Sequence, residues 1–385
     1  MTKPKIRIKG FDGEWETTPL DSCVDFLDNL RKPVKEGSRI KGIFPYYGAS
    51  GIVDYINDYI FDEELILLSE DGANITDRNY PVCFIASGKY WVNNHAHVLK
   101  AKRGFVNSFL SNAMERKSYT QYNTGMAMPK LNKEVCKRIP LAHPLLNEQQ
   151  AIADYFKSLD TMIQTTSKKI SSLKQMKQAC LVSMFPQAGE ITPRVRFKGF
   201  EGEWDRDKAG NIYTTINERN RPDLPVLSAN QDIRGMAPRV ETGFNISHNK
   251  ANEVTYKVVK PGQYVIHLRS FQGGFAHSAV EGITSPAYTV FGFKDANRHD
   301  DYFWKIIFMS KEFIKSLETI TYGIRDGRSI NFSEFAEMNF LFPSKEEQHQ
   351  IANYFRSLDT QISLQEQRLE KLKQIKSACL DKMFV

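Results

Sequence analysis

The sequence predicts an α+β protein with two α/β domains, joined by two long antiparallel coiled-coil helices in a pseudo-two-fold arrangement. Three observations predict it. A short strand-turn segment occurs twice, a long helix with an apolar seam occurs twice, and two dissimilar stretches of mixed β and α pattern lie between them.

The shorter repeat runs from Pro4 to Glu16 as PKIRIKGFDGEWE and recurs from Pro193 to Asp205 as PRVRFKGFEGEWD. Every change within it is conservative. Alternation at Ile6/Ile8 and at Val195/Phe197 predicts a short half-buried strand, and the glycines that follow predict a turn. Trp15 and Trp204 are expected to pack that turn onto a neighbour.

The longer repeat, EQQAIADYFKSLDTMIQTTSKKISSLKQMKQACLVSMF from Glu148 to Phe185, matches EQHQIANYFRSLDTQISLQEQRLEKLKQIKSACLDKMF from Glu347 to Phe384. About half of its positions are identical. The first repeat recurs at an offset of 189 and the second at 199, so the second unit has 10 more residues, all between its repeats. Ser344 and Glu347 form an S-x-x-E capping box directly after Pro343, and Asn147 with Gln150 gives a similar start after Pro144. Apolar residues then recur in a 4-3 rhythm at Leu159, Ile163, Ile170, Leu173, Cys180 and Met184. The second copy places Leu358, Ile362, Leu369, Leu372, Cys379 and Met383 in the same way. Polar residues interrupt both seams at matching places, Thr166 and Lys177 in one, Gln365 and Lys376 in the other.

That rhythm is a heptad seam, which needs a partner helix. At ~1.5 Å per residue each helix spans more than ~50 Å. A seam by itself favours homo-oligomerisation. The matched interruptions and the paired strand-turn segments favour the two helices of one chain pairing with each other.

The chain therefore divides into a first domain over 1–143, a helix over 144–187, a second domain over 188–342 and a helix over 343–385. The segments between the repeats are rich in aromatic and β-branched runs, such as LILLSEDGAN, YPVCFIASGKYWVNNHAHVLK and VTYKVVKPGQYVIHL, with a helix candidate at Asp301–Leu317. Each segment ends with a glycine-containing turn, a short amphipathic stretch and a proline. The two domains share a plan and not a sequence, which suggests two different targets.

Apolar residues make up 41% and charged residues 25% of the 385, ordinary for a globular chain of more than one domain. No apolar run approaches the ~20 residues of a membrane span, and the N-terminus has no apolar signal core. A cytoplasmic location is expected. Cys23, Cys83, Cys136, Cys180 and Cys379 are scattered and odd in number, which fits a reducing compartment. The net charge of +7 permits a polyanionic partner without proving one.

Catalytic signatures are missing. The sequence has no GxxxxGK[ST], no strand-borne GxGxxG, no HExxH, no GxSxG and no Pro-Pro dipeptide of the kind in the [DNS]-Pro-Pro-aromatic element of amino-methyltransferases. His95-Ala96-His97 has a metal-like spacing, but no cysteine or carboxylate cluster accompanies it, and a strand position explains it better. Cys180 and Cys379 fall on the seam as small core residues. No active site, metal or cofactor is expected in this chain itself.

What remains is loop chemistry suited to reading DNA. Tyr46, Tyr47 and Ser50 lie in YYGASG, and Asn93, Asn94 and His95 follow Trp91. Arg234, Arg269, Gln272, Arg325, Arg328 and Ser329 sit beside glycines in the second domain. Asn can pair bidentately with adenine and Arg with guanine, while Lys102 and Arg103 suit phosphates. Each loop alone is also ordinary turn chemistry.

Taken together, the paired KGF-[DE]-GEW segments and the paired EQxxIAxYFxSLDT helices ending in ACLxxMF resemble the specificity subunit of type I restriction–modification systems. The stretches Tyr47–Ile52, Trp91–Leu99 and Ile283–Tyr288 resemble recognition-domain sequence of that family. The resemblance covers the chain end to end. It implies a subunit that performs no chemistry, whose two target-recognition domains each read half of a split asymmetric double-stranded DNA site. The helices would act as a spacer and help dock methyltransferase subunits, two of them, with restriction/motor subunits joining for cleavage. S-adenosylmethionine, ATP and magnesium would then belong to those partners. A subunit serving a methyltransferase–nuclease fusion, an orphan methylation system, and a coiled-coil protein-interaction scaffold are the alternatives.

Overall fold

The computed structural model describes residues 3–230, 235–241, 250–267, 274–317 and 330–385. The chain forms two compact units, Met1–Lys168 with Glu366–Val385, and Lys169–Gln365. Each long helix, Leu146–Ser183 and Lys345–Lys382, runs for 38 residues and contributes to both units. The sequence boundaries at 143/144, 187/188 and 342/343 set the helices apart from the domains. Compactness divides the chain within the helices, because their apolar faces complete the core of each unit. Among the described residues no helix is long and apolar enough to cross a membrane.

The strands of the first unit are β1 (Glu16–Pro19), β2 (Val24–Phe26), β3 (Lys41–Gly48), β4 (Gly51–Ile56), β5 (Phe61–Asp62), β6 (Leu65–Ser69), β7 (Cys83–Ala86), β8 (Lys89–Val92), β9 (Ala96–Ala101) and β10 (Pro140–His143). They form sheets of order β2-β9-β6-β7 and β4-β3-β8-β5, with β1 and β10 as a separate antiparallel pair. The run Leu65-Ile66-Leu67-Leu68 is apolar without alternation because β6 is buried on both faces. Ile66 and Leu68 join a core with Phe109, Leu110, Phe156, Leu159, Leu372 and Phe384, whereas Leu65 and Leu67 pack on Phe61, Tyr90 and Val92 of the other sheet. The layers are thus helices, sheet, sheet.

The second unit holds β11 (Asp205–Lys208), β12 (Tyr213–Ile216), β13 (Leu227–Asn230), β14 (Gly235–Pro238), β15 (Lys257–Val259), β16 (Tyr264–Ile266), β17 (Phe275–Ser278), β18 (Gly282–Thr284), β19 (Thr289–Phe293) and β20 (Asn339–Phe342). Among the described residues its main sheet has the order β12-β19-β16-β17-β14-β13, with β15-β18 and β11-β20 as antiparallel pairs. Tyr264 and Ile266 face an aromatic core of Phe291, Phe303, Trp304, Phe308 and Phe335, and Val265 between them faces Val259, Ala276 and Val290. The helix expected at Asp301–Leu317 is two helices, Asp301–Met309 and Lys311–Leu317, interrupted at Ser310.

Both units build the same frame from the repeated segments. In the first, Tyr155 Oη lies 3.4 Å from Cys379 Sγ and Lys376 Nζ 2.5 Å from Asp160, so the helices run antiparallel there. In the second, Tyr354 Oη lies 3.4 Å from Cys180 Sγ and Lys177 Nζ 2.5 Å from Asp359. The polar interruptions at Lys177 and Lys376 are therefore the cross-helix ion pairs. Leu159, Ile170, Leu173, Met184, Leu358, Ile362, Leu372 and Met383 are buried, and Ile163, Cys180, Leu369 and Cys379 are half-buried.

The strands expected at Ile6/Ile8 and Val195/Phe197 are irregular chain, and the strands β1 and β11 come after the turn instead. Among the described residues no strand pairs with these segments. Ile6 N–H donates instead to Lys382 O at the end of a helix (2.9 Å), and Val195 N–H to Ser183 O (2.9 Å). Arg7 forms a two-pronged pair with Glu148 at 2.7 Å, and Arg196 with Glu347 at 2.8 and 2.6 Å. Trp15 packs edge-on against Phe109 and Phe384, and Trp204 against Phe185 and Phe303. Ser344 Oγ caps Glu347 N–H at 3.4 Å, but the Glu347 carboxylate is held by Arg196, so only half of the capping box forms.

Candidate nucleic-acid interface

In the first unit, β3 and β8 run parallel, with Tyr46 opposite Trp91 and Tyr47 opposite Val92. Parallel neighbours deliver their following loops to the same end of a sheet. The hairpin turn Ala49-Ser50 and the loop Asn93–His95, 43 positions apart from Ser50 to Asn93, therefore emerge side by side. Asn93 N–H donates to Tyr47 O at 3.0 Å. Ser69, at the end of β6, brings its hydroxyl to 2.6 Å from Ala49 O, and Glu70 N–H donates to His95 O at 2.9 Å. A fourth loop joins these through Leu131 N–H to Glu70 O (2.7 Å) and Gly72 N–H to Pro129 O (3.0 Å). Four loops, 49–50, 69–72, 93–95 and 123–130, thus form one cluster.

Its residues have different roles. Tyr46 is 1% exposed, its ring under the Arg39 guanidinium and its hydroxyl accepting Val34 N–H at 3.0 Å, so it is a core residue with no surface to offer a base. Tyr47 is half-buried against Phe84 and Tyr90, and Ser50 is half-buried at the hairpin tip. Asn93 is buried, and its Oδ1 accepts His95 N–H at 2.8 Å, which shapes the turn that presents Asn94 and His95. Both of those are exposed. His95 Nδ1 meets the Asp71 carboxylate at 2.8 and 2.9 Å, leaving its other ring nitrogen outward. Lys102 and Arg103 follow the far end of β9, six residues from Ala96, so at ~3.3 Å per residue the structure keeps them away from the cluster. Lys102 Nζ lies 2.5 Å from Asp21 O.

Besides Asp71, a second carboxylate, Glu70, anchors the cluster. Glu70 accepts from Arg31 Nη1 at 2.7 Å and lies 3.5 Å from Lys130 Nζ. Arg31 also donates to Ala96 O at 2.7 Å, tying the first strand-free segment to the loops. Beneath them His97, 1% exposed, places Nδ1 2.8 Å from Asp28 and Nε2 2.7 Å from Leu131 O. Both partners only accept, so both ring nitrogens donate and the ring is an imidazolium. Burial opposes that charge, but the hydrogen bond to Asp28 and the charges beside the ring outweigh it, and the His97 pKa is pushed up to about 10. His97 is thus on a strand, and His95 precedes it in the turn. Among the described residues no group of three or more His, Cys, Asp or Glu could hold a metal ion.

Sequence reading missed Lys130, Arg31 and the methionines Met126 and Met128. No spacing signals them, because the cluster unites loops from four separated segments. In the second unit Arg234, Arg269, Gln272, Arg325, Arg328 and Ser329 lie outside the described residues. β14 and β17 run parallel there, as β3 and β8 do in the first unit, with Gly235 opposite His277.

The family described as type I restriction modification DNA specificity domain matches this chain twice, over residues 12–175 and 205–374. A putative type I restriction enzyme specificity subunit of Haemophilus influenzae is 36% identical over 161 residues, 42% of this chain and 40% of that protein, so the match spans less than half of that relative. A type I restriction enzyme specificity subunit of Methanocaldococcus jannaschii is 22% identical over 400 residues, 96% of this chain and 91% of that protein. The crystal structure of a type I restriction-modification system S subunit from M. genitalium shares the fold, with a TM-score of 0.68 at 13% identity, covering 100% of this chain and 99% of that one. Two matches to one domain family, on two units built on the same repeated frame, give the conclusion: this chain belongs to the type I restriction–modification DNA specificity family, with two recognition domains.

Proposed function

We propose that this protein is the sequence-recognition subunit of a type I restriction–modification complex, in which each unit reads one half of a bipartite, asymmetric double-stranded DNA site. One observation carries the reading. The frame contacts are the same in the two units, Arg7–Glu148 with Arg196–Glu347 and Asp160–Lys376 with Asp359–Lys177, while the loop-bearing segments between them differ in sequence. An equivalent frame carrying unequal readers suits a site with two unequal halves.

The antiparallel helices set the gap between the half-sites and help dock methyltransferase subunits, two of them, one for each equivalent frame. Restriction/motor subunits join for cleavage. The chain itself performs no chemistry and binds no cofactor; S-adenosylmethionine, ATP and magnesium serve the partners. The exposed Asn94 and His95 suit base edges or phosphates, and the Asn93 turn fixes their position. Modified-base mapping of the host genome with and without this gene tests the proposal. A two-part adenine-methylation motif should disappear on deletion, and unchanged methylation would reject the reading.

A further inference from the structure

The loop Asn123–Lys130 is closed tightly at its base and apolar at its tip. Asn123 Oδ1 accepts the N–H groups of both Gly125 (2.9 Å) and Lys130 (2.8 Å), and Thr124 N–H donates to Lys130 O at 2.8 Å. Gly125 has no room for a side chain: a Cβ there would lie 1.8 Å from Met128 O. Gly72 N–H holds Pro129 O from the neighbouring loop at 3.0 Å, and His97 holds Leu131 O from below at 2.7 Å. At the tip, Met126 is fully exposed and Met128 is 60% exposed, with exposed Ala127 between them.

The surroundings of this tip are polar and charge-balanced. Lys130 at its base, 44% exposed, and the more buried Arg31 share the Glu70 carboxylate, and His95 in the adjoining loop faces Asp71. A site for a protein partner would extend the apolar surface into a contiguous patch. A wedge for stacked bases needs the reverse: a narrow apolar point set among polar groups that can face the DNA backbone, as the half-exposed Lys130 can. Methionine suits the point, because its unbranched, polarisable thioether can replace the stacking surface lost when a base step opens.

We propose that Met126, backed by Met128, inserts between two base pairs of the half-site read by the first unit and unstacks that step. The proposal rests on the reading of this chain as a DNA-recognition subunit. Opening one step also lowers the energy needed to extrude a nearby base, which is the demand that a base-modifying partner places on the duplex. The rigid base of the loop gives the wedge its leverage, since a floppy tip would fold back and leave the stack intact.

The test uses the full chain, purified with the subunits that accompany it, and duplexes carrying the mapped bipartite motif with 2-aminopurine at successive positions of the half-site. The wild type should raise the fluorescence at one step. Met126→Ala should return that step to the level of free duplex and weaken binding about tenfold, in keeping with the burial of one methionine side chain. Met126→Leu should retain both, and Gly125→Ala, which breaks the loop closure, should lose both. Tight binding by the wild type with no brightened step, or a brightened step that survives in Met126→Ala, overturns the wedge and leaves DNA recognition standing. No binding of the duplex at low salt overturns the recognition reading itself. Loss of an accompanying subunit from Met126→Ala, with the DNA signal unchanged, makes the loop a protein contact and also overturns the wedge.

Discussion

The His97 imidazolium supports the loop cluster from beneath, and its charge makes the first unit sensitive to pH. Its pKa of about 10 lies above the ordinary 6.5, so its stabilisation is complete below pH 6.5 and is lost as pH rises toward 10. Asp28 is shifted the other way: burial raises it, but its hydrogen bonds to His97 and Val98 and the nearby charges lower it overall. Its contribution is present above the usual carboxylate value of 3.8 and is lost as pH falls below it. His97→Gln should therefore destabilise the protein by about 2 kcal/mol near pH 6, since it removes the nearer of the two cations beside a buried carboxylate and leaves only Arg31, 3.8 Å away. The difference from wild type should shrink between pH 6.5 and about 10, as seen by thermal melting across that range. A difference independent of pH would show that His97 packs as a neutral ring. At this scale the sequence was only partly legible. Tyr46-Tyr47 and Asn93-Asn94 read as loop residues in the sequence, but both tyrosines lie within β3, where neighbours face opposite ways. Which tyrosine turns inward depends on the Lys32–Val34 segment and Arg39, and no local pattern records that.

The repeated segments work as a clamp on the helix starts. Glu347 is 2% exposed, and its charge is tolerable because Arg196 meets it with two nitrogens while also donating to Gly202 O. Arg196→Met should thus destabilise the second unit by about 3–5 kcal/mol, and adding Glu347→Gln should recover part of the loss, since the worst of it is the stranded charge. Equal melting temperatures for the single and double variants would refute this account. The cross-helix pairs are weaker. Lys177 and Asp359 are 26% and 38% exposed, so solvent screens them, and Lys177→Asp should cost about 1 kcal/mol or less. The exchanged pair, Lys177→Asp with Asp359→Lys, should recover most of it in a melting experiment, because their role is to fix register in an otherwise forgiving seam. The seam was legible because its 4-3 rhythm is local. The clamp was not, because Arg7 and Glu148 are 141 positions apart, and a charged residue inside an alternating run reads as a strand.

At the scale of the whole molecule, the proposed spacer role predicts that the gap between half-sites follows helix length. Adding a heptad between Ile163 and Leu173 alone would shift one set of frame contacts against the other. Either Asp160–Lys376 or Lys177–Asp359 would lose its partner by two turns. The seam therefore tolerates an insertion only when a second heptad is added to the other helix, between Leu364 and Leu369, which keeps both ion pairs and every apolar contact in phase. Seven residues add ~10 Å of helix, about three base pairs at 3.4 Å each. The doubly lengthened protein should direct methylation to a motif whose two half-sites are unchanged and whose gap is wider by about three base pairs, whereas the singly lengthened protein should lose activity. Modified-base sequencing of cells carrying each variant reads both results at once. An unchanged gap in the doubly lengthened protein would show that the partners, and not this pair of helices, measure the distance. Altered half-sites would show that the readers are not independent of the frame. The 10 additional residues of the second unit lie outside the helices, so shortening that segment should change at most the second half-site and leave the gap as it is.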